Sequence, residues 1–165
     1  MSSIREQLAV RVGTLLNTGT PGGVPAAVRG SIRSVDRATA PAIRYRMVTD
    51  TASPLFRQKT VPGKTLEEGP PLIQRPGDPI TRHLEIHVEC VAYGSDSQSA
   101  EELTDPLTKW AEKALGSAVW KDLGLACGLV GTTFEEAGED ASACKATAVF
   151  RIAYMTKAGD PEVRA

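Results

Sequence analysis

Hydrophobic residues recur along the chain with two periodicities, one typical of amphipathic helices and one typical of strands. The first helical segment follows Ser3 and Glu6, whose spacing matches a capping box, and it extends to about Asn17. Its apolar residues fall on one helical face: Ile4, Leu8, Val12, Leu15 and Leu16. The sequence therefore predicts an N-terminal helix that packs through this face.

A second helical segment follows Ser99 and Glu102, which repeat the capping-box spacing. Its apolar stripe is continuous and consists of Leu103, Leu107, Trp110, Ala111, Ala114 and Leu115. Because Pro106 lies inside the stripe, we expect either a kink there or a helix start nearer Asp105. A short helical turn is expected around residues 119–123.

Other segments carry the alternation or the β-branched content of strands. Strands are predicted near Val28 to Val35 and from Ala42 to Thr49, and a longer one from Ile80 to Tyr93. Two more, near Leu129 to Glu135 and from Lys145 to Thr156, flank an acidic turn. Their spacing predicts a C-terminal hairpin.

The strand from Ile80 to Tyr93 shows the alternation best. Apart from Arg82, one side is apolar and carries Ile80, Leu84, Ile86, Val88, Cys90 and Ala92. The other side is polar and carries Thr81, His83, Glu85, His87 and Glu89. Since successive side chains point to opposite faces of a sheet, one face should meet a core and the other solvent or a partner.

The order of elements predicts an α+β fold in a single domain that spans residues 1–165. We expect a mostly antiparallel sheet with the two helices packed on one face. Segment 50–79 holds six of the eleven prolines and little periodicity. It is expected to be a long extended loop that reaches a neighbouring molecule or becomes ordered on assembly. Residues 158–165 are expected to be terminal coil.

Composition narrows the class of protein. The chain has 165 residues, of which 41% are hydrophobic and 24% charged, as in globular proteins. Aromatic residues make up only 5%, which argues against stacking platforms for single-stranded nucleic acid. A net charge of −1 excludes a uniformly basic, DNA-coating protein. We see no apolar run near the ~20 residues of a membrane span and no signal-peptide core.

The near-zero net charge hides an asymmetry along the chain. Residues 1–60 hold nine basic and three acidic residues, whereas residues 61–165 hold ten basic and seventeen acidic ones. The first part therefore carries +6 and the second −7. Such a chain can present complementary faces, which permits head-to-tail self-association.

Candidate chemistry centres on the polar side of the long strand. His83, Glu85, His87 and Glu89 could hold a metal or perform acid–base catalysis. On a strand, however, the two histidines are separated by about 13 Å, too far to share one ion. Cross-strand polar pairing or a subunit contact is the favoured interpretation. The three cysteines, Cys90, Cys127 and Cys144, form no CxxC pair and are expected to be buried, reduced thiols.

The first part of the chain also carries a basic set, formed by Arg29, Arg33, Arg37, Arg44 and Arg46. Arg44 and Arg46 share one face of their predicted strand, and Arg29 and Arg33 could share another. The set is either a solvated face with ion pairs or a patch for an acidic neighbour or passing nucleic acid. Trp120 lies in an amphipathic segment, where it could anchor an interface.

The order of these segments and their patterns of polar and apolar residues resemble those of the tail terminator proteins of long-tailed bacteriophages. These are also called minor tail or tail completion proteins. The resemblance begins with the helix IREQLAVRVGTLLN and the segment GVPAAVRGSIR, and continues with the strand PAIRYRMVTD. It extends through the polar strand RHLEIHVECVAYG, the helix SAEELTDPLTKWAEKALG and the closing strand FRIAYMTKAGDP.

The resemblance implies a structural virion protein that forms a ring, hexameric in this family, on the tail tube. Such a ring stops tube polymerisation and offers a surface to head-completion proteins, and DNA passes through its lumen without sequence-specific binding. It would lie at the head-proximal end of the tail after assembly in the host cytoplasm. No catalytic residue, metal, cofactor or membrane contact is implied. The interface or lumen residues would be Arg29, Arg33, Arg44, Arg46, His83, Glu85, His87, Glu89 and Trp120.

Two alternatives remain open from the sequence. A head–tail connector or neck subunit would share the fold and differ in ring size and partner. A small metal-dependent or acid–base enzyme would use His83 and His87 together with Glu85 and Glu89.

Overall fold

Two helices and five strands form the part of the chain that the computed structural model describes, residues 3–33, 37–54, 76–118, 120, 126–138 and 142–160. In chain order they are α1 (Ile4–Asn17), β1 (Ala27–Arg29), β2 (Ala42–Pro54), β3 (Pro79–Tyr93), α2 (Ala100–Gly116), β4 (Ala126–Ala137) and β5 (Ala143–Lys157). The strands form one sheet in the order β1-β2-β3-β5-β4. Only the β1–β2 pair is parallel. The predicted α+β class with a mostly antiparallel sheet is confirmed.

Both helices pack on one face of the sheet, and a hydrophobic core lies between them and the strands. The core takes Leu8 and Leu16 from α1 and Leu107 and Leu115 from α2. The strands supply their inward-facing residues, Ile43, Leu84, Ile86, Val88, Cys90, Ala146, Ala148, Phe150, Ile152 and Tyr154. The apolar side predicted for the strand from Ile80 to Tyr93 therefore faces the core.

The two capping boxes differ in how completely they form. At α2, the Ser99 hydroxyl accepts the Glu102 N–H and the Glu102 carboxylate accepts the Ser99 N–H, at 3.2 and 2.9 Å. The helix therefore begins at Ala100, and the alternative start near Asp105 is wrong because Pro106 is accommodated inside the helix.

At α1, only half of the capping box is present. Ser3 accepts the Glu6 N–H at 3.3 Å, but the Glu6 carboxylate contacts Arg29 on β1 instead of turning back to the cap. The residue that the sequence assigns to a local motif thus ties the helix start to the sheet.

The other end of α1 is tied to β1 by one side chain. Asn17 donates from its amide nitrogen to the Ala27 carbonyl at 3.0 Å, and its amide oxygen accepts the Ala27 N–H at 2.8 Å. The Asn17 amide therefore pairs with β1 as a neighbouring peptide group would. Along the helix, Gly13 lies against the Tyr45 ring, where any larger residue would meet the hydroxyl.

Strand β2 continues beyond its predicted end at Thr49 because of a bulge. The register with β3 shifts between Met47 and Thr49, so that Val48 is the extra residue. Beyond the bulge the alternation is inverted, and Asp50 pairs opposite Leu84 on the core side. The extended loop predicted for 50–79 is therefore wrong at both ends, since residues 50–54 belong to β2 and residue 79 begins β3.

Several predictions fall on residues outside the described part of the chain. These are the rest of the 50–79 segment (55–75), most of the helical turn at 119–123, the acidic turn at 139–141 and the last five residues of the predicted coil. The strand predicted near Val28 to Val35 is observed only as Ala27–Arg29, and residues 34–36 also lie outside the described part. One domain over 1–165 stays a prediction.

Candidate functional site: the open face of the sheet

The face of the sheet opposite the helices gathers six of the nine predicted interface residues. The register places Arg44 of β2 opposite Glu89 of β3, and Arg151 of β5 opposite Glu85. Directly paired residues in a sheet share a face, so three strands contribute to one surface. We call it the open face, and its charged and histidine residues on these strands are Arg44, Arg46, His83, Glu85, His87, Glu89, Lys145, Arg151 and Lys157.

Glu85 lies near the middle of the open face and collects two partners. Its carboxylate lies 3.0 Å from His87 Nε2 and 3.6 Å from the Arg151 guanidinium. The Glu85 and His87 side chains are each about one-fifth exposed, and that of Arg151 is about half exposed. The contact with His87 lies along β3, whereas the contact with Arg151 crosses from β3 to β5.

Glu89 is covered by its own chain, whereas the polar side of its strand was predicted to meet solvent or a partner. It is only 5% exposed, because segment 30–33 lies against it. Its carboxylate accepts the Ile32 N–H at 2.7 Å and a hydrogen bond from Arg46 Nε at 3.3 Å. The preceding Gly30 donates to the Tyr45 carbonyl at 2.9 Å with a φ of +134°, a backbone conformation that favours glycine. Glu89 therefore holds a coil against the sheet.

The geometry gives little support to a metal site on the open face. His87 contacts Glu85, its neighbour two residues along the strand, whereas His83 pairs opposite Thr51 of β2 and Ala153 of β5. Within the described residues, no group of three or more His, Cys, Asp or Glu side chains could hold a metal ion. The alternation thus separates the two histidines, as expected from strand geometry.

Of the remaining arginines of the basic set, Arg37 lies over the Tyr93 ring of β3, 5.4 Å from its centroid. Arg29 is paired with Glu6, with one guanidinium nitrogen 3.0 Å from a carboxylate oxygen. This hydrogen bond raises the pKa of Arg29 and lowers that of Glu6. Arg33 is exposed and lies beyond the end of β1, so the two arginines do not share a strand face as predicted.

Trp120 is placed differently from the expectation of an interface anchor. It is 6% exposed and belongs to the core, and its indole N–H donates to the Leu115 carbonyl at 3.4 Å. Because the core of its own chain takes up the ring, Trp120 is not offered to a partner. Trp110 is only partly buried, and its N–H reaches the Leu16 carbonyl at 3.2 Å.

A polar cluster on the helix side of the sheet was missed by the sequence patterns. The Asp50 carboxylate accepts hydrogen bonds from the Tyr154 hydroxyl at 2.9 Å and from Arg82 at 3.0 Å. Arg82 also donates to Thr156 at 3.2 Å, and Arg5 of α1 lies 3.8 Å from Asp50. Burial, together with the hydrogen bond to Asp50, raises the pKa of Tyr154 to about 12. The sequence held one indication of this cluster, because Arg82 is the charged residue on the otherwise apolar side of its strand.

The cysteines offer no reactive thiolate. All three are free, and Cys90 and Cys144 are buried, as expected, whereas Cys127 is partly exposed. Burial raises the pKa of Cys90 to about 12 and that of Cys127 to about 11, so both thiols stay protonated near neutral pH.

The similarity of this chain to known proteins lies among solved structures. No family model matches this chain. No curated protein matches it. A chain of the solved "Virion of native gene transfer agent (GTA) particle" is similar, with 11% identity over 92% of this chain and 90% of that chain and a TM-score of 0.40. Neither helix in the described part of the chain is long and apolar enough to cross a membrane.

Proposed function

We propose that this chain is a structural virion subunit that forms a ring, six subunits in number, at the head-proximal end of a phage tail. The ring caps the tail tube, stops its polymerisation and presents a surface to the head-completion or connector protein. The open face carries the proposal, together with the order of segments that resembles tail terminators. This face is a broad polar surface on rigid strands, which suits the wall of a channel or an interface.

The charges of the open face support its assignment to the lumen of the ring. Arg46 contacts Glu89, and Arg151 lies near Glu85, so two of its arginines already have carboxylate neighbours. Binding to DNA grows with each phosphate that a free cation neutralises. Carboxylates that neutralise part of the arginine charge on the wall reduce its hold on passing DNA, whatever the DNA sequence.

Assembly at tube ends tests the proposed function. Purified protein is added to polymerising tail-tube protein, and tube lengths and end structures are measured by electron microscopy with native mass spectrometry of the caps. We expect tubes that stop growing and carry a ring of six copies at one end. Tubes that elongate normally beside monomeric protein would contradict the proposal. A ring of another size that captures neck proteins but not tubes would favour a connector subunit instead.

The lumen assignment has its own test. Replacing Glu85→Gln leaves Arg151 without its carboxylate, so rings of this variant should retain duplex DNA more strongly at low salt. For each additional phosphate contact, the slope of log affinity against log salt should steepen by about 0.9. Glu101→Gln on the exposed start of α2 is the matched control and should leave retention unchanged. Equal retention by both variants and the wild type would place the open face outside the lumen.

A further inference from the structure

The two lateral edges of the sheet are unlike each other, and we propose that they bind each other between copies of this chain. Strand β4 of one subunit would lie along the β1–β2 edge of the next. This inference rests on the proposed ring and identifies the surfaces that close it. We call β4 the acidic edge, and we call β1, the outer side of β2 and the adjacent face of α1 the basic edge.

The acidic edge is an unpaired edge strand with exposed apolar side chains. β4 runs over twelve residues and pairs only with β5, and no strand of the described residues lies on its other side. Three of its large apolar side chains are exposed: Leu129 by 47%, Val130 by 57% and Phe134 by 45%. A long, exposed apolar edge strand is normally covered, because its free peptide groups bind other strands.

The basic edge offers a comparable apolar surface. β1 is only three residues long and covers β2 at residues 43–45, and no other described strand pairs with the outer side of β2. Val10 of α1, Val28 of β1 and Val48 at the β2 bulge are 58%, 47% and 38% exposed. Together with the three residues of β4, these are the exposed large hydrophobic residues of the described chain. None of the six lies on the central strands β3 and β5.

Opposite charges accompany these apolar residues. Arg44 lies next to the basic edge, paired opposite the exposed Val28 of β1, and Arg33 lies in the coil that follows β1. Neither has an ion-pair partner among the described residues. Glu135 and Glu136 lie on β4, and the Glu135 side chain is 61% exposed even while it contacts Lys145. These unpaired arginines come from the first, basic part of the sequence, and the two β4 carboxylates come from the second, acidic part.

Different surfaces at the two edges determine the geometry of association. An edge that binds an unlike edge gives a head-to-tail contact, which closes into a ring when the rotation between subunits divides a full turn. Main-chain pairing along β4 would supply affinity, and the apolar and charged side chains would fix the pairing of the edges. In the closed ring every subunit uses both edges, so neither remains open.

Two charge-reversed variants test the contact. The first carries Glu135→Lys and Glu136→Lys, and the second carries Arg33→Glu and Arg44→Glu. Alone, each variant would place like charges on both edges, so we expect at least tenfold weaker ring formation on tube ends, counted by native mass spectrometry. Mixed in equal amounts, the two variants regain opposite edges and should form rings with an even number of alternating subunits.

A matched control reverses two charges elsewhere. Lys109→Glu with Lys113→Glu changes the exposed side of α2 and should leave ring formation as in the wild type. Thermal unfolding of each variant shows whether the subunit itself stays folded, and the rescue by mixing provides a second check.

Three outcomes overturn the inference or its premise. Rings formed by either variant alone, or a mixture that fails to restore them, would show that these edges do not meet, while the wild-type ring and its proposed function would stand. Assembly of the first variant with wild-type protein through two β4 strands would replace the head-to-tail contact with a symmetric one. Failure of the wild type to form rings at tube ends would remove the proposed function, and the inference with it.

Discussion

Two carboxylates gather partners on opposite faces of the same sheet, and their surroundings differ. Asp50, on the helix side, contacts Arg82 and the hydroxyl of Tyr154, which is only 1% exposed. Glu85, on the open face, contacts His87 and lies near Arg151, whose side chain is 53% exposed. On the helix side, the pairing satisfies polar groups that are buried. On the open face, it positions side chains that solvent can still reach.

This difference indicates that polar contacts on the helix side stabilise the fold, whereas those on the open face are available for recognition. On the helix side, each polar group replaces lost water contacts with fixed partners, and its removal leaves a buried group unsatisfied. On the open face, water can replace a lost partner, so the same side chains are free to serve recognition. Substitutions on the two faces should therefore differ in size, and those below run from the largest expected effect to the smallest.

Neighbouring residues of β5 provide the largest contrast. Phe150 is 1% exposed and faces the core, whereas Val149 faces the other way and is partly buried. Phe150→Ala should lower the free energy of unfolding by about 3–5 kcal/mol, because it leaves a cavity. Val149→Ala should cost less than about 1 kcal/mol, since little area leaves a core. Urea denaturation measures both, and equal losses would break the distinction between the faces.

The two carboxylates themselves give the next contrast. Asp50→Asn keeps the shape but weakens the acceptor for Arg82 and Tyr154, and we expect a loss of about 1–3 kcal/mol. Glu85→Gln should cost less than about 1 kcal/mol, because its side chain is about one-fifth exposed and water can reach the partners that it leaves. If both substitutions cost the same in chemical denaturation, burial does not explain the difference between these clusters.

The smallest effect appears only at alkaline pH. The pKa of Tyr154 is raised to about 12, so the folded state holds this proton after the unfolded chain has released it. The stabilisation is therefore complete below the ordinary tyrosine pKa of about 10 and is lost as the pH rises through about 12. Tyr154→Phe should remove this part of the pH dependence, measured as the difference in unfolding free energy from wild type. Parallel pH curves would place Tyr154 outside the Asp50 cluster.

Local patterns predicted most of the fold because they matched the final environment. The capping pair of Ser99 and Glu102 marked the start of α2, and alternation identified the core side of β3. Prediction failed where one residue shifts the register. Val48 enters β2 as an extra residue, and the strand then presents Asp50 to the side that a strict period of two assigns to solvent.

The candidate site was predictable only in part, for similar reasons. The polar side of β3 identified the open face, but not the coil at Ile32 that buries Glu89. The buried position of Trp120 depends on a contact with the Leu115 carbonyl that no periodicity encodes. Both errors come from irregular segments, whose paths depend on tertiary contacts more than on local pattern.

The Asn17 clamp on β1 has a consequence for the order in which the chain folds. Asn17 and Ala27 are only ten residues apart, and β4 and β5 are adjacent along the chain, so both borders of the sheet close over short loops. β3 must instead find β5 across α2 and β4, at a higher cost in loop-closure entropy. We expect the borders to form early and the centre late. A nascent subunit would then expose the acidic edge and the basic edge, which we propose to bind each other, before its core has closed.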